Sequence, residues 1–399
     1  MSEAIAGSAI PATSIRILRC RPTLRAYSQL VRPLLALDLP LGPYLEEAIR
    51  QRVLAEEAFC VLDQRLSPRR LQETLELLGA TAVIDVNGRH ARVSGRDVDD
   101  DIGLVMLTSG SSASPKAVQL TWNALRASAE MTQAALRHDR APVWFPCLSA
   151  SHIGGLAVLL RAILSDGSLV WDDVARIESA PSLGATHVAV VRTQLARHDL
   201  RGFDAVLLGG ARSPEELGEN VVTTWGMTET GSGIVYNGVP LVGVDVAEVE
   251  GELVVRTPTL FSSYRDGPRP RITGPDGRDD WYPTGDAGTV TDGRISVRGR
   301  VGYVINTGGE KLWPEELETV LSALTGVHDV AVTSLDDEEW GERVVALVVG
   351  DGTDLDEALI AIANERIGPW AKPKEIRYVA AVPRTSNGKI KRNELRHLF

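Results

Sequence analysis

Up to about residue 300 the chain alternates short, largely apolar runs with segments of helical period, and that alternation limits what it can fold into. Runs at 15–18, 58–62, 82–86, 104–107, 143–145, 169–171, 187–191 and 205–208 read as strands, several of them suited to burial on both faces. Helical spacing intervenes at 45–54, 67–78, 121–137, 153–164 and 213–217. Strands alternating with helices predict an α/β fold built on mostly parallel sheets. The stretch 251–298 breaks the pattern: it is rich in Gly, Pro, Asp and Thr, with short strands, and reads as a small antiparallel region. After Arg300 the character changes again. A glycine-bearing loop at 306–309 leads to Pro314, which opens a helix with acids in its first turn, and strands and one further helix follow. The expectation is a large N-terminal domain over 1–301 and a small α+β C-terminal domain over 302–399, with the boundary near Val301 and Gly302.

Charge and cysteine content exclude several roles. Lys plus Arg total 42 against 53 Asp plus Glu, a formal net charge of −11. An acidic surface repels phosphate backbones and anionic lipid, so neither nucleic acid nor membrane is the expected partner. An anionic substrate then needs a local positive site. Cys20, Cys60 and Cys147 lie far apart, with no metal-ligand spacing and no disulfide framework. The N-terminus lacks the apolar core of a signal peptide, and the longest apolar stretch is too short to span a bilayer. A cytoplasmic protein is expected.

Four constellations carry chemistry. The first runs Thr108-Ser-Gly-Ser-Ser-Ala-Ser-Pro-Lys116, after an apolar strand and ahead of a helix starting near Thr121. Small residues let a backbone approach a phosphate, and hydroxyls plus a lysine supply donors and charge. It is not a Walker loop, because Ala117 follows the lysine. The second, Thr224-Trp-Gly-Met-Thr-Glu-Thr230, puts a hydroxyl beside a carboxylate, a pair suited to a phosphate and its Mg²⁺. The third, Tyr282-Pro-Thr-Gly-Asp286 with Arg300 downstream, offers an acid on a tight turn for ribose hydroxyls. The fourth, Pro383-Arg-Thr-Ser-Asn-Gly-Lys-Ile-Lys-Arg392, places Lys389 after an Asn-Gly turn. Taken singly, the first is as readily a Ser-rich surface loop, and the other three read better as a strand end, a turn aspartate and a solvated basic tail.

All four occur in one chain in this order, and together they resemble the adenylate-forming superfamily of acyl-CoA synthetases, peptide-synthetase adenylation domains and luciferases. The resemblance covers 104–399, and the first hundred residues look like a trimmed subdomain. It implies an ATP site at Thr108, Ser109, Gly110, Ser111, Ser112 and Lys116, with departures from the family pattern at Ser112, Ala113 and Ala117. It implies an adenine site at Gly209, Gly210, Ala211, Trp225 and Gly226. Thr228 would touch the α-phosphate, Glu229 would hold Mg²⁺, and Asp286 and Arg300 would bind ribose. Lys389 would bridge the reacting carboxylate and the α-phosphate. Gly302 would be the hinge of a mobile C-terminal domain, and Thr307, Gly308 and Gly309 would line the CoA tunnel. The implied chemistry is a carboxylate attacking ATP to give acyl-AMP and pyrophosphate, then CoA thiolate releasing AMP. The implied partners are a small carboxylic acid, ATP and CoA, and homo-oligomer formation stays open.

Three further segments resemble the o-succinylbenzoate–CoA ligases of menaquinone synthesis in their short forms: 151–156, 186–197 and 233–243. That implies a polar acyl pocket with His152 at a helix start, where the dipole favours an anion. Ser151, Ser232, Tyr236 and Arg192 are its other candidates. Three alternatives stay open: a ligase for another acid, a stand-alone adenylation domain loading a carrier protein, and a non-catalytic nucleotide-binding relative.

Overall fold

Among the described residues strand pairing gives five sheets: an eight-, a seven- and a four-stranded one, a five-stranded C-terminal one, and the short pair Val31–Arg32 with Val98–Asp99. The computed structural model describes residues 31–92, 94–108, 115–136, 140–209, 217–351, 355–385 and 388–399. The strand expected at 15–18, Cys20, the loop residues Ser109, Gly110, Ser111 and Ser112, the pair Gly210 and Ala211, and nearly all of the helix expected at 213–217 lie outside them.

The first sheet has eight strands. At its centre Leu35–Leu37 pairs in parallel with Phe59–Val61 and Ala82–Asp85, and Phe59–Val61 adjoins Ile102–Thr108. Two helices belong to this part, α1 (Pro43–Ala55) and α2 (Pro68–Leu78). Ser67 caps α2 by accepting from the Arg70 N–H, and the αL residue Gly79 ends it.

The Ser-rich segment follows a strand and precedes a helix capped at Thr121, as expected, but one strand that the sequence did not reveal lies between. Lys116–Thr121 is a strand antiparallel to Ile102–Thr108, with Thr108 opposite Lys116. Thr121 then caps α3 (Trp122–Ala135) through its hydroxyl.

The second sheet runs Ser168–Leu169, Val143–Phe145, His187–Val191, Ala205–Gly209, Val221–Met227, Ser232–Tyr236, Val239–Pro240. Its first five strands are parallel, and the order turns antiparallel at Val221–Met227. Helix α4 (Ile153–Leu164) is apolar almost all round and is buried from Gly155 to Ala162, as such a helix must be. It packs with α3 in one core that also takes Phe59, Leu104, Trp144 and Leu207, so both helices lie between the first two sheets. A single turn, α5 (Arg192–Leu195), follows His187–Val191.

The antiparallel region expected from composition is a four-stranded sheet, Asp245–Val249, Glu252–Arg256, Tyr282–Thr291 and Arg294–Arg300. From Arg300 the chain passes through one 3₁₀ turn, Val301–Tyr303, into Ile305–Thr307 of the C-terminal sheet. That sheet is covered by α6 (Pro314–Ser322) and α7 (Asp356–Arg366) and has its own core around Leu312, Leu317, Val332, Ala346 and Leu359. The last helix, α8 (Arg392–Leu395), closes the small domain.

Candidate active site

Glu229 reaches the site on a turn that one glycine permits. Register slips between Trp225 and Gly226, where a side chain would put its Cβ 2.2 Å from the Ser232 carbonyl oxygen. Gly226 therefore serves a close approach of two strands. Beyond it Thr228–Thr230 forms one 3₁₀ turn, closed by the Gly231 N–H on the Thr228 carbonyl. The buried Thr230 hydroxyl accepts from the Met227 N–H and lies 2.7 Å from the Ser232 carbonyl oxygen. Thr228 and Glu229 are left half-buried at the tip of the turn.

Tyr264 donates to Glu229 Oε1 at 3.2 Å, and its hydroxyl lies 3.3 Å from that of Tyr282. Burial and the nearby Glu229 charge push the Tyr264 phenol up to about 12 and raise Tyr282 as well, so both stay protonated. Lys116 Nζ stands 4.9 Å from the centre of the Tyr264 ring. Lys116, at the start of its strand, thus arrives beside the Glu229 partner. Tyr264 gave no motif signal, since its part follows only from the pairing of Ser263–Tyr264 with Lys116–Thr121.

Asp286 is the second focus. One carboxylate oxygen accepts from Trp225 Nε1 at 2.8 Å, and the other meets Arg300 Nε at 2.9 Å. Asp286 and Arg300 are also cross-strand partners in the antiparallel sheet. Burial raises the Asp286 carboxyl, against the pull of Arg300, the indole N–H and Lys389. Trp225 belongs to the second sheet, Asp286 and Tyr282 to the antiparallel sheet, and Tyr264 to the edge of the first. Three side-chain bonds therefore close a triangle between three sheets.

Lys389 enters from the small domain. Gly388 has φ +79°, as a tight turn there requires, and Arg384 braces the turn by donating to the Gly388 carbonyl and to Asp329. The Lys389 side chain is crowded by protein yet keeps solvent access. The loss of hydration, then Arg300, lowers its ammonium from the usual lysine value, while Asp286 and Glu229 oppose the shift. His152 is close enough to feel Lys389, Asp63 and Arg65, and burial lowers its imidazole. It stands at the N-cap of α4 without capping it, and its buried Nε2 has no hydrogen-bond partner among the described residues. Asp63 and Arg65, paired at 2.8 Å, are further neighbours that the sequence did not reveal.

The acyl candidates separate. Ser151 bonds the Ser149 hydroxyl at 2.8 Å next to His152. Ser232 accepts from Arg161 Nη2 at 2.5 Å, and Tyr236 lies in hydrogen-bond distance of Thr132 at 3.0 Å. Arg192 is corrected: its guanidinium donates to Ser322 of α6 at 3.1 Å, so it faces the small domain and not Ser232. Arg161 is the residue that sequence reasoning missed. It is 5% exposed and pairs with no carboxylate among the described residues, and its Nε is buried without a partner. Burial lowers its pKa. It lines a cavity of about 240 Å³ with Thr132, Trp144, Ser165, Asp166 and His187. A lone arginine inside an otherwise apolar helical period was the available signal.

Gly302 sits exposed in the Val301–Tyr303 turn, with nothing within 4 Å of where a Cβ would stand. Thr307, Gly308 and Gly309 form part of a hairpin, Ile305–Thr307 against Glu310–Leu312, on the small domain. Gly209 ends its strand, 3.5 Å from Thr224 Oγ1 at the Cβ position. Among the described residues no group of three or more His, Cys, Asp or Glu could hold a metal. A lone carboxylate such as Glu229 fits Mg²⁺ carried by substrate phosphates, which needs only one or two protein ligands.

A family model described as AMP-binding enzyme matches residues 66–265, and one described as AMP-binding enzyme C-terminal domain matches 316–389. The chain belongs to the AMP-binding enzymes, as an AMP-forming acid–CoA ligase. It is 35% identical over 340 residues to a probable 2-succinylbenzoate–CoA ligase of Mycobacterium tuberculosis, covering 76% of this chain and 86% of that one. It is 30% identical over 420 residues to a feruloyl-CoA synthase of an Amycolatopsis species, covering 86% and 84%. The solved o-succinylbenzoate–CoA synthetase of Bacillus subtilis, in complex with its acyl-adenylate intermediate, superposes with a TM-score of 0.79. That match covers 91% of this chain and 88% of the other at 24% identity, and speaks to the fold. No helix among the described residues is long and apolar enough to cross a membrane.

Proposed function

We propose that the acid is o-succinylbenzoate and that Arg161 receives the carboxylate that does not react. A guanidinium buried without an acidic partner is costly, and a substrate anion removes that cost. The probable 2-succinylbenzoate–CoA ligase of Mycobacterium tuberculosis, more similar in sequence than the feruloyl-CoA synthase, supports the same acid. Arg161 lies nine residues along α4 from His152, about 13 Å by helix rise. Its side chain leans back toward the helix N-terminus, and Ser232 ties it to the segment that carries Thr228. A monocarboxylic acid would leave Arg161 unpaired.

The roles of the other residues follow from charge. Two anions must meet when a carboxylate attacks the ATP α-phosphorus, displacing pyrophosphate. Lys389 supplies a cation between them, and Thr228 donates to the α-phosphate. Mg²⁺ held on Glu229 would neutralise phosphate charge; Tyr264 keeps that carboxylate aimed. Asp286, fixed by Trp225 and Arg300, accepts the ribose hydroxyls. Lys116 and the Ser-rich segment hold the leaving pyrophosphate. His152, neutral near pH 7, hydrogen-bonds the reacting carboxylate through its unused nitrogen. Rotation about Gly302 then withdraws Lys389 and brings the hairpin of Thr307, Gly308 and Gly309 to the CoA arm, whose thiolate displaces AMP.

The test is CoA thioester formation with ATP and Mg²⁺ across o-succinylbenzoate, benzoate, ferulate, succinate and a medium-chain fatty acid. Preference for o-succinylbenzoate is expected. Preference for ferulate or another monocarboxylate would discard both the acid and the Arg161 role.

A further inference from the structure

Outside the site just described, Glu342 of the small domain has both carboxylate oxygens engaged. Its Oε2 accepts the backbone N–H of Asn306 at 2.8 Å. Its Oε1 accepts the Ser334 hydroxyl at 2.5 Å and Arg396 Nη2 at 3.2 Å, and Arg396 also donates to Ser334 at 3.0 Å. Both oxygens of one carboxylate are thus engaged, one by the backbone of the hairpin and one by the last turn of the chain.

The hairpin needs such an anchor. Its turn is Gly308-Gly309 with φ of +61° and +87°, the two left-handed residues of a tight two-residue loop. Two glycines carry the largest conformational freedom that a turn can have. Pairing to the long strand Gly341–Gly350 is confined to Thr307 opposite Gly341. Gly308 adds an N–H on the Trp340 carbonyl at 2.9 Å. At Asn306 the sheet supplies no acceptor for the N–H, and the Glu342 side chain takes its place with a charge-assisted bond.

We propose that Glu342 is a positioning residue for the thioester-forming half-reaction. Its carboxylate, neutralised by Arg396, fixes the hairpin backbone along the path of the CoA arm. It touches no substrate. Every partner named lies in the small domain, so the clamp travels with that domain and adds nothing to the ATP site. The proposal rests on the reading that this hairpin lines the CoA path, and the experiment separates the two.

The full-length Glu342→Gln variant keeps the shape but turns one acceptor into a donor. Two rates are measured: acid-dependent exchange of pyrophosphate into ATP, and single-turnover thioester formation from purified acyl-AMP with CoA. Exchange within about twofold of wild type is expected, which also shows that the fold survives. Thioester formation should fall about tenfold or more, with a raised KM for CoA, and Glu342→Asp should recover part of it. Equal losses in both rates, or no loss in either, overturn the proposal. If Glu342→Gln loses its thermal transition, Ser334→Ala, which strips one donor from Oε1, must show the same split or the proposal falls. Gly309→Asn tests the underlying reading, because Asn accepts the left-handed backbone and adds bulk at the tip. If it slows thioester formation while Glu342→Gln does not, only the clamp fails. If it leaves thioester formation untouched, the hairpin is not on the CoA path and the clamp fails with it.

Discussion

Arg161 and His152 stand at opposite ends of α4 and meet burial in opposite ways. A guanidinium stays charged when buried, so Arg161 demands an anion. Arg161→Met should raise KM for a dicarboxylic acid by roughly 10- to 100-fold and leave KM for ATP unchanged, read from initial rates with each substrate varied. An equal rise in both would make Arg161 a packing residue. His152 answers burial by losing its proton. Its folded pKa lies below the ordinary histidine value of about 6.5, so the unfolded chain takes up a proton that the folded chain refuses. Stability contributed by the neutral ring is present above about pH 6.5 and drains away as pH falls toward the folded value. Thermal melts from about pH 7.5 to about pH 5.5 should show wild type losing more than His152→Gln. Parallel curves would mean that the ring titrates normally.

At the scale of elements, the long helices of the described residues were legible, while several strands were not, among them Leu35–Leu37, Lys116–Thr121 and Ser232–Tyr236. The expected starts at 67 and 121 are the caps of α2 and α3, because a side-chain oxygen before a helical period is a local signal. The whole of α4 was read from its apolar run, while Arg161 inside it was given no role because its meaning is tertiary. Lys116–Thr121 was hidden by the polar Gln119, which looks misplaced in a buried strand. Its amide is satisfied by Ser263, 144 residues away. Tyr264 escaped notice for the same reason, and Arg192 misled because its partner Ser322 belongs to the other domain. The second motif carries a cost that its spacing concealed. Gly226→Ala would place a methyl 2.2 Å from the Ser232 carbonyl oxygen. Calorimetry should show a loss of about 1–3 kcal/mol, with KM for ATP raised as Thr228 and Glu229 shift. Gly209→Ala, with 3.5 Å of room, should be nearly neutral. Equal stability of the two variants would show that the strands separate freely at Gly226.

Over the whole molecule, the two domains meet with Lys389 in electrostatic reach of Asp286, Glu229 and Arg300, and with Arg192 bonded to Ser322. On the proposed mechanism this is the arrangement for adenylation. Lys389→Ala should abolish pyrophosphate exchange and spare thioester formation from supplied acyl-AMP, whereas Gly302→Ala should fold normally and slow only the CoA step. Loss of both half-reactions in Lys389→Ala would mean one fixed arrangement serves both. The proposed nucleotide site also has a property that no single sheet possesses. Trp225 with Asp286, Glu229 with Tyr264, and Tyr264 with Tyr282 are the corners at which three sheets touch. Occupancy and the docking of those layers are therefore one equilibrium viewed from two ends. A ligand at a hundred times its Kd adds about 2.7 kcal/mol to the docked state. By the same linkage, a substitution in any layer that loosens this seam registers first as lost nucleotide affinity, while every strand is still intact.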